Sequence, residues 1–261
     1  MQYFDLPIRE TSMTCYLLDS SEQMPYVKER PLVIVCPGGA YIHRSPREAE
    51  PVAMRLLAAG FHAAILHYSV APARYPTAAL QLAQAVREVR AHAKAWGVTQ
   101  VYIMGFSAGG HLCGTLGTLW DEPVFHEALG GKPDWRPDGQ ILCYPVITMG
   151  EKTHGGSREN LLAERMEELQ EALSLEKRVS EKTVRTFLWH TAEDGSVPVE
   201  NSLHYACALR KAGVPFELHV YEQGEHGLSL CDKTTSTHEG QLAPDNAEWM
   251  DKVIRFIARK A

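Results

Sequence analysis

No stretch of this chain is apolar over the roughly 18 residues that a membrane-spanning helix needs, so no membrane span is expected. Positive charge is not in surplus. Lys and Arg number 26 against 32 Asp and Glu, a formal net charge of −6. That balance excludes an electrostatic footprint for nucleic acid or for an anionic membrane surface. The six cysteines (Cys15, Cys36, Cys113, Cys143, Cys207 and Cys231) form no C-x-x-C pair. No His or Cys grouping has zinc-site spacing, so no metal is expected. A disulfide framework belongs to small secreted chains, not to one with this much core. H-E-x-x-H, Walker A and G-x-G-x-x-G patterns are missing, so no cofactor is expected either. Ser174 to Lys177 fits S-x-x-K, but S-D-N and K-T-G companions are lacking, which leaves it as helix surface. The first residues carry no basic or apolar signal region and no N-x-[ST] site occurs, so a reducing cytoplasm is the expected location.

What is present is a regular alternation. The 261 residues are 45% hydrophobic and 22% charged, ordinary for a globular protein and short enough for one domain over 1–261. Continuous apolar runs at Leu32–Cys36, Phe61–Tyr68, Val101–Met104, Gln140–Tyr144, Thr186–His190 and Phe216–Tyr221 suit strands covered on both faces. Between them Thr77–Trp96 repeats apolar residues at helical spacing, Asn201–Ala212 ends at Gly213, and Asp245–Arg259 makes a last amphipathic helix. The pattern predicts a mostly parallel, doubly wound α/β sheet flanked by helices, with short antiparallel edge strands in the first 30 residues. The polar segment 148–182 breaks the rhythm. Its stripe of Leu162, Met166, Leu169 and Leu173 reads as a small helical cap insertion, the alternative being a crossover with no role at a site.

The chemistry lies in the loops after these strands. Gly105-Phe106-Ser107-Ala108-Gly109 matches G-x-S-x-G between a strand and a helix, where a tight turn lifts the serine hydroxyl above the sheet edge. Such a pattern alone also fits a glycine-rich turn capped by serine. A serine needs a base to take its proton, and in strand-turn-helix sites of this kind an acid and then a histidine follow in chain order. Asp194 follows the strand ending at His190, with Glu193 as the competing acid; His226, between Gly224 and Gly227, follows the last strand. The acid would fix the histidine's tautomer and stabilise the imidazolium. Oxyanion donors are expected from the N–H of Ala108 and from Gly38, Gly39 and Ala40 in the turn after Cys36. Tyr41, beside them, is either a substrate-binding wall or a packed loop aromatic.

Together, PGGAY (37–41), HYSVAPARYPTAALQLAQAV (67–86), GFSAGGHL (105–112), WHTAEDGSVPVENS (189–202) and GEHGLSL (224–230) resemble the α/β-hydrolase superfamily. Most similar are the acetyl-esterase and hormone-sensitive-lipase-like carboxylesterases of the acetyl-xylan-esterase-like kind. The resemblance implies Ser107, Asp194 and His226 as a catalytic triad, with the oxyanion donors named above. It implies removal of short acyl groups, chiefly acetyl, from sugars or short oligosaccharides, with no nucleic acid or membrane partner; a homo-oligomer stays open. The loop departs from the family pattern in having Pro37 for histidine and Ala40 for a third glycine, which leaves open which of its N–H groups donates. An amide hydrolase on the same scaffold, arylformamidase- or aminopeptidase-like, is the first alternative, and a non-catalytic ligand-binding relative the second.

Overall fold

A computed structural model of the chain describes residues 1–259. The chain opens on a hairpin, β1 (Gln2–Ile8) and β2 (Thr11–Leu17). Then follow β3 (Arg30–Cys36), α1 (Glu50–Ala58), β4 (His62–Leu66), α2 (Thr77–Trp96), β5 (Val98–Phe106), α3 (Ala108–Leu119), α4 (Pro123–Leu129) and β6 (Gly139–Cys143). After them come α5 (Gly155–Leu162), α6 (Met166–Leu169), β7 (Thr186–Thr191), α7 (Glu200–Ala212), β8 (Phe216–Tyr221) and α8 (Trp249–Ala258). The eight strands make one sheet in the order β1-β2-β4-β3-β5-β6-β7-β8. Only the β1–β2 and β2–β4 pairs are antiparallel; from β4 through β8 all are parallel. The apolar runs thus fall on strands buried on both faces, which is why they do not alternate.

Each face of the sheet has its own core. Leu82 and Val86 of α2, Leu112 and Leu116 of α3, and Tyr205 and Leu209 of α7 fill one side. Val52 and Leu56 of α1 with Trp249, Val253 and Phe256 of α8 fill the other. Chain connections leave β3 toward β4 on one face and return from β4 to β5 on the other. The crevice at the carboxyl ends of β3 and β5 is therefore a topological switch point, where loops from both strands meet. Gly97 and Gly213 close α2 and α7 in the left-handed conformation, at φ 65° and 73°.

Two expectations need adjusting. The final helix starts at Trp249, not near Asp245, because Pro244–Asn246 folds as a separate 3-10 turn. Segment 148–182 does not form one long helix either. Ala163 takes φ 46° and splits the apolar stripe between α5, a 3-10 turn and α6. The segment lies against the loops at the sheet's carboxyl edge: Tyr75 N–H donates to Leu161 O (3.2 Å), Arg74 to Asn160 O (2.6 Å), and Asn160 Nδ2 to Ala40 O (3.0 Å). All six cysteines are free thiols, five of them buried. No helix among the described residues is long and apolar enough to cross a membrane.

Candidate active site

Parallel register sets the geometry. Cys36 pairs with Gly105, Phe106 with Cys143, and Thr191 with Tyr221, so the loops after β3, β5, β7 and β8 leave one edge of the sheet. Ser107 stands at the turn between β5 and α3 with φ 52° and ψ −117°, a conformation that costs about 1–3 kcal/mol for a residue with a side chain. The turn is tight enough to require its glycines. A Cβ on Gly105 would sit 2.0 Å from Gly109 O, and one on Gly109 would sit 2.1 Å from Cys36 O. Helix α3 begins at Ala108, so its positive end faces the serine.

The structure brings the three separated side chains together. Ser107 Oγ lies 2.8 Å from His226 Nε2, and His226 Nδ1 lies 2.6 Å from Asp194 Oδ2. A carboxylate only accepts, so Nδ1 carries the proton and Nε2 offers its lone pair to the serine hydroxyl. Asp194 is fully covered, while the His226 side chain keeps 20% exposure. Burial by itself would raise the Asp194 carboxyl. Hydrogen bonds from His190 and His226, the charge of His226 and the Val197 N–H outweigh it and hold that carboxyl well below the usual range. Its other oxygen, Oδ1, receives Ser196 N–H (2.9 Å) and Val197 N–H (2.8 Å). Glu193, the competing acid, points away and takes Gly224 N–H at 3.2 Å.

His190 and Asn201 lie within the stretch 189–202 that carries the resemblance, but no role is legible there for either. His190 Nε2 faces Val197 O (2.9 Å) and Asp194 Oδ2 (3.2 Å), and its Nδ1 takes the Ser202 hydroxyl at 2.8 Å. Asn201 Oδ1 receives Ile147 and Thr148 N–H, and its Nδ2 donates to Lys152 O and Pro198 O. It thereby fastens the start of segment 148–182 to the loop that carries the acid.

At the expected oxyanion loop the choice left open among three N–H groups narrows. Gly38 N–H is not free: it donates to Glu48 Oε2 at 2.7 Å. The N–H groups of Gly39, Ala40 and Ala108 donate to nothing among the described residues. Gly39, Ala40 and Tyr41 have φ of 127°, 54° and 58°, three successive left-handed residues that shape a backbone concavity. The loop is anchored without a histidine, by the Tyr68 hydroxyl on Pro37 O (2.5 Å) and by Glu48. Tyr41 takes the packed alternative: it is 2% exposed, and its hydroxyl meets His111 Nδ1 at 3.1 Å. It is a core side chain, not a substrate wall. His111 is wholly buried, with Nε2–H on Leu173 O (3.0 Å), and burial brings it down to about 4.

Comparison with known proteins agrees with this architecture. The BD-FAE family model matches residues 20–209. Endo-1,4-beta-xylanase B of Butyrivibrio fibrisolvens is 38% identical over 213 residues, which cover 78% of this chain and 33% of that protein. An acetylxylan esterase of Xylanibacter ruminicola is 33% identical over 180 residues, covering 65% of this chain and 34% of that protein. The chain thus spans about a third of the length of each of these relatives. The crystal structure of an acetyl ester-xyloside bifunctional hydrolase from Caldicellulosiruptor lactoaceticus superposes with a TM-score of 0.82 at 40% identity, covering 94% of this chain and 86% of that one. The sheet order and flanking helices are those of the α/β-hydrolase fold.

Proposed function

This chain belongs to the BD-FAE family, and on that premise we propose that it is a serine carboxylesterase acting on short acyl esters, chiefly acetyl esters of sugars or short oligosaccharides. The observation that carries the reading is the Ser107–His226–Asp194 relay, with contacts of 2.8 and 2.6 Å beside three unclaimed backbone N–H groups. In this reading Ser107 Oγ attacks the acyl carbon while its proton passes to His226 Nε2. Negative charge moves to the former carbonyl oxygen, which the N–H groups of Gly39, Ala40 and Ala108 receive. Each such donor is worth about 3–4 kcal/mol of barrier. Collapse breaks the bond to the alcohol oxygen, which leaves with the proton from His226. A water then gives its proton to His226, attacks the acyl-serine and releases the acid, restoring the hydroxyl. Asp194 keeps Nδ1 protonated throughout and stabilises the imidazolium.

The substrate class rests on the family and on the names of the relatives, one an acetylxylan esterase and another an acetyl ester-xyloside hydrolase. Segment 148–182, tied to the oxyanion loop through Asn160 and to the acid loop through Asn201, serves here as the cap that narrows the pocket to small esters. The test joins a fluorophosphonate probe to a substrate panel. Folded protein should label at Ser107, and Ser107→Ala should abolish both labelling and hydrolysis. Turnover should favour p-nitrophenyl acetate and acetylated xylo-oligosaccharides over longer acyl esters, an aminoacyl-anilide and N-formylkynurenine. Folded wild type that resists the probe would remove the serine hydrolase; faster turnover of an amide would move the activity to the other class.

A further inference from the structure

The turn Pro46–Glu48 belongs to no motif, yet it touches both the Gly38 loop and the loop that follows His226. Glu48 is 4% exposed. Its Oε2 receives Gly38 N–H (2.7 Å) and its Oε1 receives the Tyr144 hydroxyl (2.6 Å). It makes no ion pair among the described residues; the nearby cation Arg47 is committed to Gly227 O and Thr235 O. A carboxylate buried with neutral donors alone is costly for stability. What it holds lies at the reacting centre. A Cβ placed on Gly38 would be 2.8 Å from Glu48 Oε2 and 3.0 Å from Ser107 Cβ, so the glycine packs closely against both the carboxylate and the serine. On the other arm, the Tyr144 ring stands edge-on to the His226 imidazole, centroids 5.2 Å apart, and the Tyr144 oxygen accepts Ser229 N–H at 2.9 Å. Ser229 Oγ in turn donates to Arg47 O (2.7 Å), and Arg47 Nη2 to Gly227 O (2.6 Å).

We infer that Glu48 is a positioning residue that fixes the oxyanion loop and the His226 loop relative to each other. By taking Gly38 N–H it sets the peptide orientation from which Gly39 and Ala40 present theirs. By taking the Tyr144 hydroxyl it holds the ring against which the imidazole rests. Glu48 does the work of the loop-anchoring side chain missing at Pro37, and does it from behind the loop. A small displacement in the site is costly, because donors must sit where charge develops and not merely nearby.

This inference rests on the proposed esterase reading, and the experiment separates the two. Wild type, Glu48→Ala, Glu48→Gln and Tyr144→Phe are titrated with a fluorophosphonate, so that only molecules with a reactive Ser107 count, and then assayed on p-nitrophenyl acetate. Glu48→Ala is expected to lose about 100-fold in kcat per titrated site with KM moving far less, the pattern of misplaced oxyanion donors. Affinity for a boronic acid, which mimics the tetrahedral state, falls in parallel. Glu48→Gln can still offer oxygen to Gly38 and recovers part of the loss, and Tyr144→Phe, which cuts one arm, loses less than Glu48→Ala. Kcat and boronate affinity held near wild type in Glu48→Ala, whatever its melting temperature, would overturn the role; so would a loss confined to KM. Should Glu48→Ala not fold, wild-type kcat in both Glu48→Gln and Tyr144→Phe overturns it, and a kcat loss in both at constant KM sustains it. Wild type that neither labels nor hydrolyses esters defeats the esterase reading itself, and this inference with it.

Discussion

Replacing Asp194 by asparagine changes one atom, and the surrounding donors dictate how the new amide must sit. Asp194 Oδ1 faces two backbone N–H groups, from Ser196 and Val197, at 2.9 and 2.8 Å. An NH2 group placed there would oppose two donors, so the amide oxygen takes that side. The NH2 then replaces Oδ2, 2.6 Å from His226 Nδ1. It donates, so Nδ1 must give up its proton and accept, and the hydrogen moves to Nε2. An imidazole with Nε2–H cannot take the proton of Ser107. In a comparable triad the same exchange lowers kcat about 10⁴-fold. At 1.36 kcal/mol per factor of ten, that is a barrier increase of about 5 kcal/mol. The packing hardly changes, since the two side chains are isosteric and the covered Asp194 side chain keeps its neighbours. The expected outcome is a folded Asp194→Asn protein with an unchanged near-UV spectrum, kcat on p-nitrophenyl acetate down by about four orders of magnitude, and fluorophosphonate labelling slowed in proportion. A variant within about tenfold of wild type would show that tautomer control by Asp194 is not what the relay depends on.

Two further outcomes follow from buried groups. His111 is held neutral in the folded chain, with its value near 4 against an ordinary 6.5. Between those values the unfolded chain binds a proton that the folded one refuses, so stability declines as pH falls through that window, by about 3 kcal/mol from this group, and levels off below it. Melting temperatures measured from pH 7 to pH 4 should show a shallower decline in His111→Gln than in wild type; parallel curves would discard the assignment. Gly109→Ala should lower stability by about 3 kcal/mol or more, because the added Cβ meets Cys36 O at 2.1 Å and Pro37 O at 2.5 Å with only backbone to yield. Chemical denaturation checks this, and a loss below about 1 kcal/mol would mean that α3 shifts freely against β3.

How much of this was legible before folding depends on the range of each interaction. The runs LVIVC, VYIM and TFLWH announced buried strands because a strand covered on both faces must be apolar without alternation. Gly105 and Gly109 marked the turn because its crowding leaves no room for a Cβ, a constraint written at fixed spacing around Ser107. Asp194 and His226 were legible through their place after strands and their order in the chain. Tyr41 was ambiguous because loop position alone does not say which way a ring turns; the buried partner His111 lies 70 residues away. Which loop N–H stays free was not legible, because the acceptor of Gly38, Glu48, sits in a turn with no pattern of its own.

The sequence by itself therefore determined the six parallel strands and the helices near 77–96, 201–212 and the C-terminal end, the tight turn at Ser107, and the residue types able to move a proton, since all of these depend on local backbone sterics and hydrophobic period. Only the tertiary structure decided which N–H groups stay free, which acid meets the imidazole, and what braces the two loops. His226 follows β8, three strand spacings of roughly 4.8 Å each from β5, where Ser107 stands. Its loop must cross β7 and β6 to reach the serine, and Tyr144, at the end of β6, meets Glu48 from 96 residues away along that route. Contacts of that kind leave no periodic trace in a chain, because they are fixed by where the sheet brings its strand ends and not by neighbours in sequence.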